Sequence, residues 1–253
     1  MAATLSAPLL LQPAFAADSA ADEFPPISKR DYTPAQFGPH QPRLYIDFPG
    51  GAAARSIAQG SATASVLVGA DGKTEDILSV QYTDPSFGKA LADELKSTRF
   101  SPAKYKNVNI PARMNVSYDF QGNVSANAME QAARMGHTNS KDALEPVSEE
   151  KLDARLHLID PVLPRVPVGY EVPEGKVVKA YVTFYVDSEG KVRVPNVESA
   201  DAPELVAPAI KAVRLWKFQP PTAGGKPALV FTGRAITFFP RKPKPAPTPE
   251  PAK

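Results

Sequence analysis

Residues able to do chemistry are few in this chain and do not converge. Three histidines, His40, His137 and His157, are spread over 253 residues. A metal site needs several nitrogen, sulfur or oxygen ligands at short spacing on one element or on facing elements. None of the three histidines has a second histidine or a carboxylate at such a spacing, and His157, in KLDARLHLIDP, reads as a residue on the surface of a helix. Cysteine is absent, which excludes disulfides, thiolate nucleophiles and Cys-ligated zinc. The GADGK stretch at 69–73 lacks the Gly-x-x-x-x-Gly-Lys-Ser/Thr frame that cradles phosphates, and it reads as a hairpin turn. No Gly-x-Ser-x-Gly elbow occurs. Asp71, Asp76, Asp187 and Glu189 gather around two turns, where carboxylates ordinarily sit in solvent. These residues point to a protein that is not an enzyme, with no catalytic residue, no cofactor and no metal.

The composition is that of a globular chain, 43% hydrophobic and 22% charged, long enough for one large domain or two small ones. A net charge of +2 without a concentrated basic face argues against nucleic acid. Proline is frequent, at 28 residues, and clusters between Ser6 and Pro49, between Pro161 and Pro173, and after Phe239. Such runs favour extended segments around compact units. The start, MAATLSAPLLLQPAFAADSAADEF, has an apolar run interrupted by Pro8 and Pro13 and shorter than the roughly 20 residues that span a bilayer. Ala14-Phe15-Ala16 followed by Ala17 has the small-x-small form of a secretory cleavage site, so residues 1–16 are assigned to a signal peptide although no Lys or Arg precedes the apolar run.

One spacing recurs. Gly72-Lys73 and Gly190-Lys191 are offset by 118 residues, as are Pro85 and Pro203, Phe100 and Phe218, Pro102 and Pro220, and Phe120 and Phe238. Residues 62–120 and 180–238 therefore align without a gap, the signature of an internal repeat. The apolar pattern repeats with it. Ala62, Ala64, Val66 and Val68 alternate with Thr63, Ser65 and Leu67, and Ala180, Val182, Phe184 and Val186 with Tyr181, Thr183 and Tyr185, and period two marks a half-buried strand. Asp71-Gly72 and Glu189-Gly190 supply the positive φ of a tight hairpin, which leads into a second strand at about Thr74–Tyr82 or Val192–Ser199. Pro85 and Pro203 suit the first turn of a helix. Phe87, Leu91 and Leu95, and likewise Leu205, Ala209 and Val213, form an apolar stripe along it. A last strand closes each unit: Met114, Val116, Tyr118 and Phe120 keep the inward phase in the first. Thr232 and Arg234 interrupt that phase in the second before Ile236 and Phe238 resume it. The order is ββαβ, twice. The fold class is α+β, two tandem small units, each a short antiparallel sheet packed on one helix.

RLWKFQPPTAGGKP, Arg214 to Pro227, is then a structural motif. Phe218 pins the end of the helix into the core, as Phe100 does in the first unit. Pro220 and Pro221, like Pro102, forbid further helix because proline lacks the N–H and restricts the residue before it. Gly224-Gly225 turns the chain back to the sheet. Trp216 and Lys217 cannot both face inward.

These residues resemble the C-terminal domain family of TonB, the periplasmic energy transducer of Gram-negative bacteria. The resemblance rests on a lead-in (Phe48-Pro49 before Gly60, Leu163-Pro164 before Gly175), the hairpin VVKAYVTFYVDSEGKV, the helix exit from Ala209 and Ala212 to Trp216-Lys217-Phe218, and GKP before the final strand. The second copy matches better. In the first, Thr98-Arg99-Phe100 replaces Trp-Lys-Phe, Asn107–Asn109 replaces Gly-Lys-Pro, and neither lead-in has the family's tyrosine.

The resemblance implies a non-enzymatic, exported, periplasmic protein that adds a partner's extended segment to an exposed sheet edge. Strand addition uses unpaired backbone groups, so it needs no special side chains. The edge candidates are the final strands, about Ile110–Phe120 and Ala228–Phe239, with Val230, Thr232, Arg234 and Ile236 as the peptide-binding residues. The implied partner is a protein or peptide, such as an outer-membrane receptor, or a cell-wall component. The same edges allow a homodimer, or allow the two units to cover one another. The alternative is a divergent energy transducer for outer-membrane receptor transport, which requires a membrane anchor upstream of Met1. The organisation expected is a signal peptide at 1–16, a Pro-rich linker at 17–41, a first unit at 42–120, a polar linker with a packing helix at 121–160, a second unit at 161–239 and a Pro/Lys-rich disordered tail at 240–253.

Overall fold

A computed structural model describes residues 24–39, 43–54, 57–122, 145–172 and 177–238 of the protein. The signal segment with Ala16 and Ala17, His40, His137, the 123–144 part of the linker and the 240–253 tail lie outside the described residues.

The first period-two run forms β1, Gln59–Val68. Its hairpin partner is β2, Thr74–Tyr82, and helix α1 follows at Pro85–Ser97. The closing strand β3 spans Ala112–Gln121 and pairs antiparallel with the other side of β1, giving the sheet order β2-β1-β3. The even-numbered phase of β1, Ala62 to Val68, is buried under Phe87, Leu91 and Leu95 of α1, the face the sequence stripe indicates.

The second run forms β4, Lys179–Val186, paired antiparallel with β5, Val192–Ala200. After α2, Val206–Val213, the strand β6, Val230–Thr237, pairs with the other side of β4, so the order is β5-β4-β6. Leu205, Ala209 and Val213 are all buried against this sheet. The architecture is thus mixed α+β, built of small, antiparallel sheets.

The expectation for the second helix needs one correction. Pro203–Leu205 is a 3₁₀ turn, and α-helix starts only at Val206. Pro208 explains this: it has no N–H to give to residue 204, and its ring would clash with that carbonyl in α geometry. A second correction concerns residues 148–158. Only Glu149–Lys151 turn, as 3₁₀, and Leu158–Asp160 form a strand, so no packing helix stands here and His157 lies exposed on extended chain. Asp153 holds that path open: its N–H donates to Thr222 O and its carboxylate accepts from the N–H groups of Gly224 and Gly225.

The hairpin turns and the helix exits meet. Gly72 has φ +76° and its carbonyl accepts the Phe100 N–H at 2.9 Å; Gly190 has φ +79° and accepts the Phe218 N–H at 2.8 Å. A Cβ at either glycine would lie 2.2 or 2.0 Å from the carbonyl oxygen of Phe100 or Phe218. Glycine is required at both places by the close approach as well as by φ. Each exit also pairs with an upstream strand, Phe100 with Phe37 and Phe218 with Leu158. Tyr32–Thr33 pairs with Ala103–Tyr105 as well, so Tyr32–Thr33 and Gln36–Phe37, assigned by composition to a linker, are short strands.

One continuous apolar core runs through both sheets, and β5 packs across β1, β2 and β3. Asp76 and Asp187 do not sit free at their turns. Arg193 donates to both oxygens of Asp76, at 2.7 and 3.1 Å, and Asp187 lies 3.7 Å away, both carboxylates mostly buried. Asp76 also accepts the Val194 N–H at 2.9 Å. Arg113 donates to Val194 O at 3.4 Å and to Thr183 Oγ1 at 3.0 Å, and its guanidinium lies over the rings of Tyr185 and Phe231. Held between these two groups, Val194 adopts φ +38°, a region that β-branched residues avoid.

Candidate functional site

The site to be tested is the backbone of the final strands. β6 is set up by the turn before it. Gly224 and Gly225, at φ +58° and +71°, reverse the chain, Thr222 pairs with Pro227, and the Ala228 N–H returns to Pro221 O. β6 then runs in unbroken register with β4 from Val186↔Val230 to Lys179↔Thr237.

In an antiparallel ladder a residue's N–H and C=O point to the same side, and the side alternates. Two bonds set the phase here. The Phe238 N–H donates to Val178 O, towards the β4 side, and the Phe231 N–H donates to Val147 O, away from it. Even-numbered residues of β6 therefore bond β4, and odd-numbered ones face outwards. Val230, Thr232, Arg234 and Ile236, the sequence candidates, lie on the inner phase. Val230 and Ile236 are buried, and Thr232 and Arg234 engage Glu149. The outward backbone belongs to Phe231, Gly233, Ala235 and Thr237.

The outward row is divided in two. At its start, Val147 forms a parallel bridge with Val230: the Val147 N–H donates to Leu229 O at 2.8 Å and Val147 O accepts the Phe231 N–H at 3.1 Å. From Gly233 onward, no described strand lies beside β6, and Ala235 and Thr237 are exposed. Gly233 is needed because the Tyr181 ring crosses it; a Cβ there would lie 2.3 Å from the tyrosine hydroxyl.

The Val147 segment is fastened by an ion pair. Arg234 donates from Nη1 to Glu149 Oε1 at 2.6 Å and from Nη2 to Oε2 at 3.0 Å, and the Thr232 hydroxyl donates to the same carboxylate. Burial pushes the Glu149 carboxyl up, but the bonds from Arg234 and Thr232 outweigh it and hold the group below its ordinary value.

The other final strand presents a different edge. The Gly122 N–H turns in to Ala58 O while the Arg113 N–H turns out to Asn196 Oδ1, so Asn115, Ser117, Asp119 and Gln121 point their backbone outwards. Asn196 caps the start of this row, and the exposed side chains of Asn115 and Ser117 bond Ser65 and Thr63 of β1.

At the helix exit, Trp216 is the residue that faces in. It is buried edge-on to Phe184 and donates from Nε1 to Val162 O at 2.8 Å, whereas Lys217 is exposed. Phe218 and Phe100 are buried, while Pro220 is exposed and Pro102 half-buried. Two elements escaped the sequence reading: the Val147–Glu149 segment and the outward phase of β6. The pair Glu149 and Arg234 carries no local signal, because the partners stand 85 residues apart.

Among the described residues no group of three His, Asp or Glu side chains is close enough to hold a metal ion, and no helix is long and apolar enough to cross a membrane. The family model for the Gram-negative bacterial TonB protein C-terminal matches residues 174–238, which contain β4, β5, α2 and β6. No curated protein and no solved structure matches the chain.

Proposed function

We propose that the chain is a non-enzymatic periplasmic interaction protein of two TonB C-terminal-like units, 42–120 and 161–239, and that the second unit takes an extended segment of a partner protein along the outer edge of β6. The family match over 174–238 supports a protein-interaction role for this half. The observation that carries the reading is the Val147 bridge: a segment from elsewhere already bonds the outward groups of β6, and the row beyond it, at Gly233, Ala235 and Thr237, has no strand beside it among the described residues. The equal offset of the two glycine-to-phenylalanine contacts supports the duplication. The first unit, packed on β5, serves as a scaffold that holds the second sheet. Export through the 1–16 segment, with processing between Ala16 and Ala17, brings the site to an outer-membrane receptor or a cell-wall component.

Backbone hydrogen bonds at 233–237 contribute about 1 kcal/mol each, so this stretch alone supports weak, transient binding. The test uses a photocrosslinking residue at Thr237 in the mature chain, mixed with an envelope fraction. A single protein adduct is expected, and Ala235→Pro, which deletes an outward N–H and none to β4, should abolish it with an unchanged melting temperature. An adduct indifferent to Ala235→Pro would overturn the reading.

A further inference from the structure

The Val147 segment lies on the edge where the proposed partner must bind. Its contact with the strand amounts to one bridge. The 3₁₀ turn at Glu149–Lys151 then lifts it away before it can pair with Gly233. Besides the two backbone bonds of that bridge and the packing of the half-buried Val147 and Leu152 on the core, it is fastened by the carboxylate of Glu149 on Thr232 and Arg234, and the ion pair is partly exposed, at 31% for Glu149 and 35% for Arg234. A pair so exposed to water adds little to the hold.

We infer that residues 145–152 are an autoinhibitory strap, a stand-in for the partner segment, and that the occupant which displaces it is an extended peptide lying parallel to β6 with an apolar residue followed two positions later by a carboxylate. The inference rests on the edge-binding reading above and adds its regulation and its ligand chemistry. Three observations lead to it. The bridge is parallel, which sets the direction of the occupant. Val147 sits opposite Val230, so the residue two positions on falls beside Thr232 and Arg234, where Glu149 is found. The strap covers the best part of the edge: its departure releases Leu229 O and the Phe231 N–H, lengthening the outward row from 233–237 to 229–237, and frees the Arg234 guanidinium for a carboxylate from outside. An occupant that supplies both gains the bonds the strap gives up and continues past the point where the strap turns away.

The probe is a labelled peptide, EPVSEEKLDAR, copying Glu145–Arg155. It is titrated by anisotropy against the full chain and against the chain carrying Val147→Pro with Glu149→Gln, which loosens the strap. Binding at least tenfold tighter to the loosened chain is expected, and a peptide with glutamine at the position of Glu149 should lose that gain. Equal affinity for both chains, or no binding to either, overturns the strap. Hydrogen exchange on the unaltered protein is a second measure. The Phe231 amide should exchange faster than the amides of β4; exchange of Phe231 only on global unfolding would make the segment a fixed part of the fold and overturn the inference. Either failure leaves the Thr237 adduct and its loss in Ala235→Pro standing, whereas an adduct indifferent to that substitution removes the edge-binding reading itself.

Discussion

The two helices reach the same end by different means. α1 has strong local signals: Pro85 at its start, an Asp84 cap whose carboxylate accepts the Ser86 N–H, and a Thr98 exit that folds its hydroxyl back on Glu94 O. α2 keeps only the proline, Pro203, in the turn that leads into it. Ala202 stands where Asp84 stands in the first half, the start is 3₁₀, and no side chain caps it. Its exit is held instead by tertiary contacts, Trp216 on Phe184 and on Val162 O. The edges differ in parallel. β3 pairs with β1 over ten residues, starts under Asn196 and is polar outside; β6 pairs over eight and starts under a loosely held strap. One half is locally determined and closed, and the other depends on long-range packing and leaves an edge that can be uncovered.

Phe218→Ala should have the largest effect, a loss of about 3–5 kcal/mol, because Phe218 is packed among Phe184, Trp216 and the Gly190 turn. Phe100→Ala, whose ring stacks on Phe37, should fall at the low end of that range, about 3 kcal/mol. Urea midpoints compare the two, and a larger loss for Phe100 would break the contrast between the exits.

Next comes the seam between the halves. Arg113→Ala removes bonds to Val194 O and Thr183 and should cost about 2–3 kcal/mol, by the worth of hydrogen bonds to a charged group. Limited proteolysis should then cut within β5 faster than within β1; unchanged cleavage would mean the seam is held elsewhere.

The caps give a smaller and opposite pair. Asp84→Ala should lose about 1 kcal/mol, and Ala202→Asp, which installs the missing cap on extended backbone, should gain up to about 1 kcal/mol. Thermal melts read both, and a neutral Ala202→Asp would show that the 3₁₀ start cannot use a cap.

The smallest effect is acid release of the strap. Glu149 and Asp153 are both held low, Asp153 by the N–H groups of Gly225 and Gly224 and by Thr222. A carboxyl lowered in the fold stabilises it above the ordinary carboxylate range, near pH 4, and that contribution is lost as pH falls through the lowered value. The strap should therefore loosen below about pH 4, seen as faster exchange at Phe231, while Asn196 at the β3 edge has nothing to titrate. Equal responses at the two edges would erase the difference.

Much of this was readable from residue order. The alternation of Ala62 to Val68 and of Ala180 to Val186, and the stripes on both helices, name the buried faces because burial follows side-chain period. The two turn glycines were readable as turns, though not as docking points for Phe100 and Phe218. Val230, Thr232, Arg234 and Ile236, chosen by their alternation, lie on the phase whose backbone bonds β4: alternation distinguishes faces, and which phase bonds outward depends on where the neighbouring strand lies. Asp76 and Asp187 looked solvated because their partner, Arg193, comes from the other hairpin or from across it. Trp216 against Lys217 was left open by composition and decided by Val162 O, 54 residues away.

Val194 carries a consequence for synthesis. Its left-handed backbone costs of order 1–3 kcal/mol, and it is sustained by Asp76 on its N–H and Arg113 on its carbonyl. Both of those residues leave the ribosome more than eighty positions ahead of it, by 118 and 81. The earlier half is thus a mould waiting when β5 emerges, and residues 177–238 made alone should relax at this valine, a change that its Cα chemical shift would register.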